Sequence, residues 1–323
     1  MKEKKRLAIL AAAVVLVAII LLLVGMRKPP ETAVGICYGD THAINRYGQI
    51  ADVLTKESFA VYAECADNDP AKQTQCVRKL IDSKVKLLIV EAISDNSAQE
   101  AAALAKEAEI PIIFIGQEPS QTTLDSWDRI SYVGCKPEQA GRLQGSILQG
   151  MGNMGDMNGD GVISYLILTG PEDDARAKAL TESCVSALAS QELGVAEIGT
   201  NWGQWDAENA KTACAQALAQ YGKDIEVIFC GNDRIAQGAQ QAVQDGGWQV
   251  GKDYYLLGLG GTEEAIRMIE EGTLTATVSE SCLKQGQKIV ELLTQMAEET
   301  AVEKRYYIEP ETITPGNAKD FLK

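Results

Sequence analysis

Between residues 33 and 271, short apolar runs alternate with longer amphipathic stretches, and this alternation limits the fold more than any other feature. Residues 33–38 (AVGICY), 59–65, 86–90 (KLLIV) and 111–115 (PIIFI) read as strands, and 43–56, 71–83 and 97–108 between them as helices. The pattern resumes with strands at 162–168, 226–230 and 254–259, followed by helices at 175–190, 234–244 and 263–271. Strands this short, separated by helices of several turns, are βαβ units, and βαβ units build parallel sheets. A chain of 323 residues has length for two such lobes. The expected class is therefore α/β, with two doubly wound parallel-sheet lobes and a cleft between them. Ligands of such sheets bind beyond the carboxyl ends of the strands. Polar residues gather there: Gly39-Asp40-Thr41-His42, Glu91, Gly116-Gln117-Glu118, Glu172-Asp173-Asp174 and Gly231-Asn232-Asp233.

The amino terminus is of another kind. Residues 1–6 are a basic tail, 7–26 carry no charge, and 27–32 read as a linker. Twenty helical residues span about 30 Å, the thickness of a bilayer core. Met26 stands where a lipoprotein signal would place its cysteine, and small residues do not mark a cleavage site. The expectation is an uncleaved N-terminal membrane helix, in preference to a removed signal, with the tail in the cytoplasm and the remainder outside. The formal charge is −15, and since residues 1–30 are basic the rest is more acidic still. Such a body does not suit nucleic acid as a partner.

Eight cysteines would suit an extracellular disulfide framework. Most, however, sit within apolar strand-like or helical runs and read as small buried residues. Cys65 with Cys76 is the one pair to test. With no Cys-x-x-Cys step and a single histidine, a zinc site has little support.

Residues 156–164 (DMNGDGVIS) carry side-chain oxygens at Asp156, Asn158 and Asp160, then a glycine, then the Val162 carbonyl, as the first part of a calcium loop does. Ser164 follows at the place often bridged by water. The twelfth place, where a bidentate Glu belongs, is Ile167. A plain Asx-Gly turn would use the same residues.

The run IPIIFIGQEPS at 110–120, Tyr132-Val133-Gly134, the following QAGRLQG at 139–145, and Gly231-Asn232-Asp233 together resemble type I periplasmic sugar-binding proteins. The calcium-like loop just before a second-lobe strand is similar to the galactose/glucose-binding branch. The resemblance covers nearly everything after residue 33. It implies a three-segment hinge crossed near Cys135, Cys282 and Glu303, giving lobe one as 33–135 plus 282–303 and lobe two as 136–281 plus 304–323. It also implies that Glu226 supplies the missing calcium ligand from a distant strand.

For the cleft, the resemblance implies a ligand-binding Asp at Asp40, an aromatic place held by His42, a stacking Trp at Trp205, and Asp174 with Lys178 in place of an Asp and an Arg. Asn232 would turn its amide to the cleft, and Asp233 would cap the helix. Aromatic faces cover the C–H side of a sugar ring, while carboxylates, amides and guanidinium groups bind its hydroxyls. Bland readings stand beside these: a Trp packed on its own lobe, a solvated His, a surface pair between Asp174 and Lys178. The chain departs from the pattern at Glu91, Glu172 and Glu280, where neutral side chains are expected, and at Gly260, where an Asp is expected. The cleft therefore reads as acidic, open to a glucose- or galactose-like sugar, to an amino sugar or to another cationic ligand. The implied role is capture of a small sugar, as a monomer, for the permease of an ABC importer. A membrane-anchored sensor for a receptor or kinase is the alternative. One histidine and no nucleophile or phosphate-loop motif argue against an enzyme.

Overall fold

The computed structural model describes residues 32–298 and 300–322. The expected membrane helix at 7–26 lies outside the described residues; among those described, no helix is long and apolar enough to cross a membrane.

Strands β1 (Ala33–Tyr38), β2 (Ala60–Cys65), β3 (Leu87–Glu91), β4 (Ile112–Ile115) and β5 (Ile130–Gly134) alternate with α1 (Thr41–Lys56), α2 (Pro70–Asp82), α3 (Asp95–Glu107) and α4 (Gln121–Asp125). Then come α5 (Pro137–Ser146), β6 (Val162–Thr169), α6 (Ala175–Ala189), β7 (Gly194–Trp202), α7 (Ala207–Tyr221), β8 (Val227–Cys230) and α8 (Asp233–Asp245). The chain ends with β9 (Tyr255–Gly260), α9 (Glu263–Glu270), β10 (Ala276–Ser279), α10 (Cys282–Ala297), β11 (Arg305–Tyr307) and β12 (Glu311–Ile313).

Two six-stranded sheets result, ordered β2-β1-β3-β4-β5-β11 and β7-β6-β8-β9-β10-β12. Each central strand is buried on both faces, which is why the runs at β3 and β4 are apolar throughout rather than alternating. In lobe one, Val34, Ile36, Leu87 and Ile89 face a core shared with α1 and α10, while Cys37, Leu88 and Val90 face the α2–α3 side. The apolar positions of α1 (Ala43, Tyr47, Ile50, Leu54) recur at helical spacing and form its buried stripe. In lobe two, α5 and α6 cover one face, and α7, α8 and α9 the other.

Three features differ from expectation. Strand β11 pairs in parallel with β5, Arg305 opposite Tyr132, so residues 305–307 belong to lobe one. The third crossing thus lies between Tyr307 and Glu311, later than the expected place near Glu303. The last strand, β12, is antiparallel to β10, so the second sheet is mixed. The edge strand β7 escaped the sequence reading because it is partly exposed along most of its length and carries no continuous apolar run. The eight cysteines are free thiols and seven are buried; Cys65 and Cys76 are not bridged.

Candidate functional site

A cavity of about 210 Å³ opens between the lobes at the carboxyl ends of both sheets. Lobe one contributes Gly39 and Asp40 after β1, Arg46 and Tyr47 from α1, Glu91 at the end of β3, and Gly116 and Gln117 after β4. Lobe two contributes Asp174, Arg176, Trp205, Asn232 and Leu259, and the crossing after β10 contributes Glu280.

Several of these side chains are fixed by helix starts. Asp40 caps α1, its Oδ1 accepting the N–H groups of His42 and Ala43 at 2.8 Å. Asp174 caps α6 through Oδ1, and its Oδ2 accepts Trp205 Nε1–H at 2.9 Å. That bond sets the plane of the indole. The ring lies against Gly170, where a Cβ would stand 2.2 Å from Trp205 Cε2, so only glycine fits there. Asn232 caps α8, its Oδ1 accepting Ile235 N–H at 2.7 Å. It takes the role expected of Asp233. Asp233 instead lies buried beneath, accepting the Thr277 hydroxyl at 2.5 Å and Thr262 N–H at 2.8 Å. Burial raises its carboxyl above the ordinary aspartate range, against those bonds. A Cβ at Gly260 would stand 3.0 Å from its Oδ2, so Asp233 takes the space that a larger residue at 260 would need.

The carboxylates at the cleft floor are paired. Glu91 Oε2 accepts Gly39 N–H at 2.9 Å, and its Oε1 is 4.0 Å from Arg46 Nη1. Burial pushes the Glu91 carboxyl up; Arg46 and the Gly39 N–H pull the other way. Glu280, 4 % exposed, is bound to the Arg176 guanidinium. Two of the four cleft carboxylates, Glu91 and Glu280, therefore face guanidinium groups.

Of the residues expected here, Asp40, Glu91, Asp174, Trp205, Asn232 and Glu280 line the cavity. His42 is exposed and lies at the mouth, beside Asn45 and Gln237. Glu172 and Lys178 are exposed and line no part of it. The reason is helical phase: Lys178 is two residues, or about 200°, beyond Arg176 on α6, so only one of them can face the cleft. Arg46, Arg176 and Tyr47 were missed. The usable signal was their place in the first two turns of helices that begin with a cleft aspartate.

At the calcium-like loop, Asp156 accepts the N–H groups of Gly159 and Gly161 at 2.6 and 2.9 Å, Asn158 that of Asp160 at 2.8 Å, and Asp160 that of Val162 at 2.8 Å. Glu226, 1 % exposed, does reach the loop: Oε1 accepts from Met157 and Asn158 at 2.7 and 3.1 Å, Oε2 from Ser164 at 2.8 Å. The donor set is all oxygen, as a hard cation requires. In this arrangement, though, backbone N–H groups occupy the carboxylates, and no group of three or more acidic, His or Cys side chains able to hold a metal forms among the described residues.

A family model described as the periplasmic binding protein domain matches residues 44–301. The chain belongs to the periplasmic binding protein family. Among its relatives is the D-galactose/methyl-galactoside binding periplasmic protein of Haemophilus influenzae, 28% identical over 237 residues, covering 72% of this chain and 70% of that one. A putative rhizopine-binding protein of Rhizobium meliloti is 23% identical, covering 83% and 84%. Solved solute-binding proteins of ABC transporters share the fold. One from Actinobacillus succinogenes with bound D-allose has a TM-score of 0.77 at 19% identity, covering 91% of this chain and 100% of that one. Another, from Bacillus halodurans with bound myo-inositol, has 0.72 at 21%, covering 92% and 99%.

Proposed function

We propose that this chain is an extracytoplasmic solute-binding protein that captures a glucose- or galactose-like monosaccharide between its lobes and delivers it to the permease of an ABC importer. The observation that carries this reading is the Trp205 indole, held in the cavity by Asp174 and facing a floor of carboxylate and guanidinium groups. An aromatic face with charged hydrogen-bonding groups suits a ring that is apolar on its faces and hydroxylated at its rim. The galactoside-binding relative supports the sugar class, and the relatives named for rhizopine and ribose, with the allose and inositol complexes, set the range to be searched. Isothermal titration of the full chain with D-galactose, D-glucose, D-allose and myo-inositol tests it. At least one should bind, and Trp205→Ala should weaken that binding by about 1–3 kcal/mol, the scale of a large buried side chain. A folded protein that binds none of the four refutes the reading.

Two finer points belong to the same proposal. The charge-free stretch 7–26 supports a membrane tether; N-terminal sequencing of membrane-extracted protein checks it. The oxygen spacing of residues 156–164, with Glu226 seated against the loop, supports a structural calcium ion held by Asp156, Asn158, Asp160, the Val162 carbonyl, Ser164 and Glu226. That requires Glu226 to give up backbone hydrogen bonds to the ion.

A further inference from the structure

Four carboxylates line the cleft, Asp40, Glu91, Asp174 and Glu280, and a ligand must meet their combined charge. Each already faces a positive partner. Asp40 and Asp174 sit at the amino ends of α1 and α6, where the helix dipole favours an anion. Glu280 holds Arg176. Glu91 depends on Arg46, which stands on α1 of the same lobe. That last pair differs from the others. Its atoms are 4.0 Å apart, at the limit of an ion pair, so neither group has spent its hydrogen-bonding capacity on the other.

We propose that Arg46 sets the charge selectivity of this cleft: by matching Glu91 it makes the site one for a neutral polyhydroxylated ring and disfavours a ring that bears an ammonium. This rests on the sugar reading above. Two neighbouring hydroxyls can serve the pair together, one donating to the carboxylate and the other accepting from the guanidinium. An ammonium would instead compete with the guanidinium for the one carboxylate. The guanidinium cannot yield by losing its proton, so two cations would crowd the single Glu91 carboxylate, the nearby Glu280 being held already by Arg176. Without Arg46, Glu91 would stand in the cavity with only the Gly39 N–H, and the balance would favour an ammonium.

The test is competition binding of D-glucose, D-galactose and their 2-amino and 6-amino forms to the full chain, as wild type, Arg46→Met and Arg46→Lys. The wild type should prefer the neutral sugar. In Arg46→Met the ratio should move toward the better amino form by tenfold or more. Arg46→Lys should restore the wild-type direction, and Glu91→Gln added to Arg46→Met should abolish the shift. Arg46→Gln replaces the Met variant should that one not fold. A wild type that prefers an amino sugar overturns the proposal. So does an unchanged ratio in the folded variant, since loss of packing alone weakens both ligands together. Failure of the folded wild type to bind any of these sugars would overturn the sugar reading itself, and this proposal with it.

Discussion

Asp233 shows how much one side chain can be misplaced by sequence alone. It reads as a helix cap, yet it is 1 % exposed and its neighbour Asn232 does the capping. An acid whose folded-state value is raised holds its proton more firmly folded than unfolded. Its contribution to stability is fully present below the unfolded value and is lost as pH rises through the folded one. Asp233→Asn removes that loss. The stability difference should therefore move in the variant's favour as pH goes from about 3 to about 7, read from urea midpoints. A difference that stays constant over this range would show that the carboxyl is not raised. At the same scale, Asp40 and Asn232 were legible because strand ends fix where they point, and Trp205 only through the family resemblance, since the strand before it, β7, carries no clear pattern. His42 and Lys178 were not, because a turn of helix carries a side chain from the cleft to solvent within two residues.

Helices α5 and α6 pack through glycine. A Cβ on Gly145 would stand 2.2 Å from the Cys184 carbonyl oxygen, and one on Gly141 would stand 2.3 Å from that of Leu180. Backbone, unlike the end of a side chain, cannot swing aside. Gly145→Ala should therefore destabilise by about 1–3 kcal/mol, the usual effect of overpacking. Gly48, in α1, has nothing within 4 Å of its would-be Cβ. There the same change should stabilise by about 0.4–1 kcal/mol, by restricting the unfolded chain. Chemical denaturation of both variants gives the two signs; a loss of stability at neither position would mean that α5 and α6 have room to separate. Elements whose sequence is apolar throughout, such as β3 and β4, were legible for the reason that makes them central. The edge strand β7 and the short strands β11 and β12 were not. Their pairing depends on a distant edge rather than on their own pattern.

For the whole molecule, the loop at 156–164 joins the start of β6 to the residue before β8 through Glu226. An ion bound there only in the folded state raises the melting temperature by mass action. Removing calcium with EDTA should lower the melting temperature, and added calcium should restore it. Equal melting with and without the ion would leave Glu226 as a hydrogen-bonded clasp alone. The sequence by itself determined the alternation, hence the two parallel-sheet lobes, and hence the polar strand ends as the place to look. Periodicity is local, and burial on both faces writes it directly into the residues. Only the tertiary structure decided which charges meet. Arg46 reaches Glu91 from another element, and Arg176 reaches Glu280 across 104 positions of chain. A charge pair formed over such a separation leaves no mark on the local pattern, because neither residue's spacing from its own neighbours depends on the partner that folding brings to it.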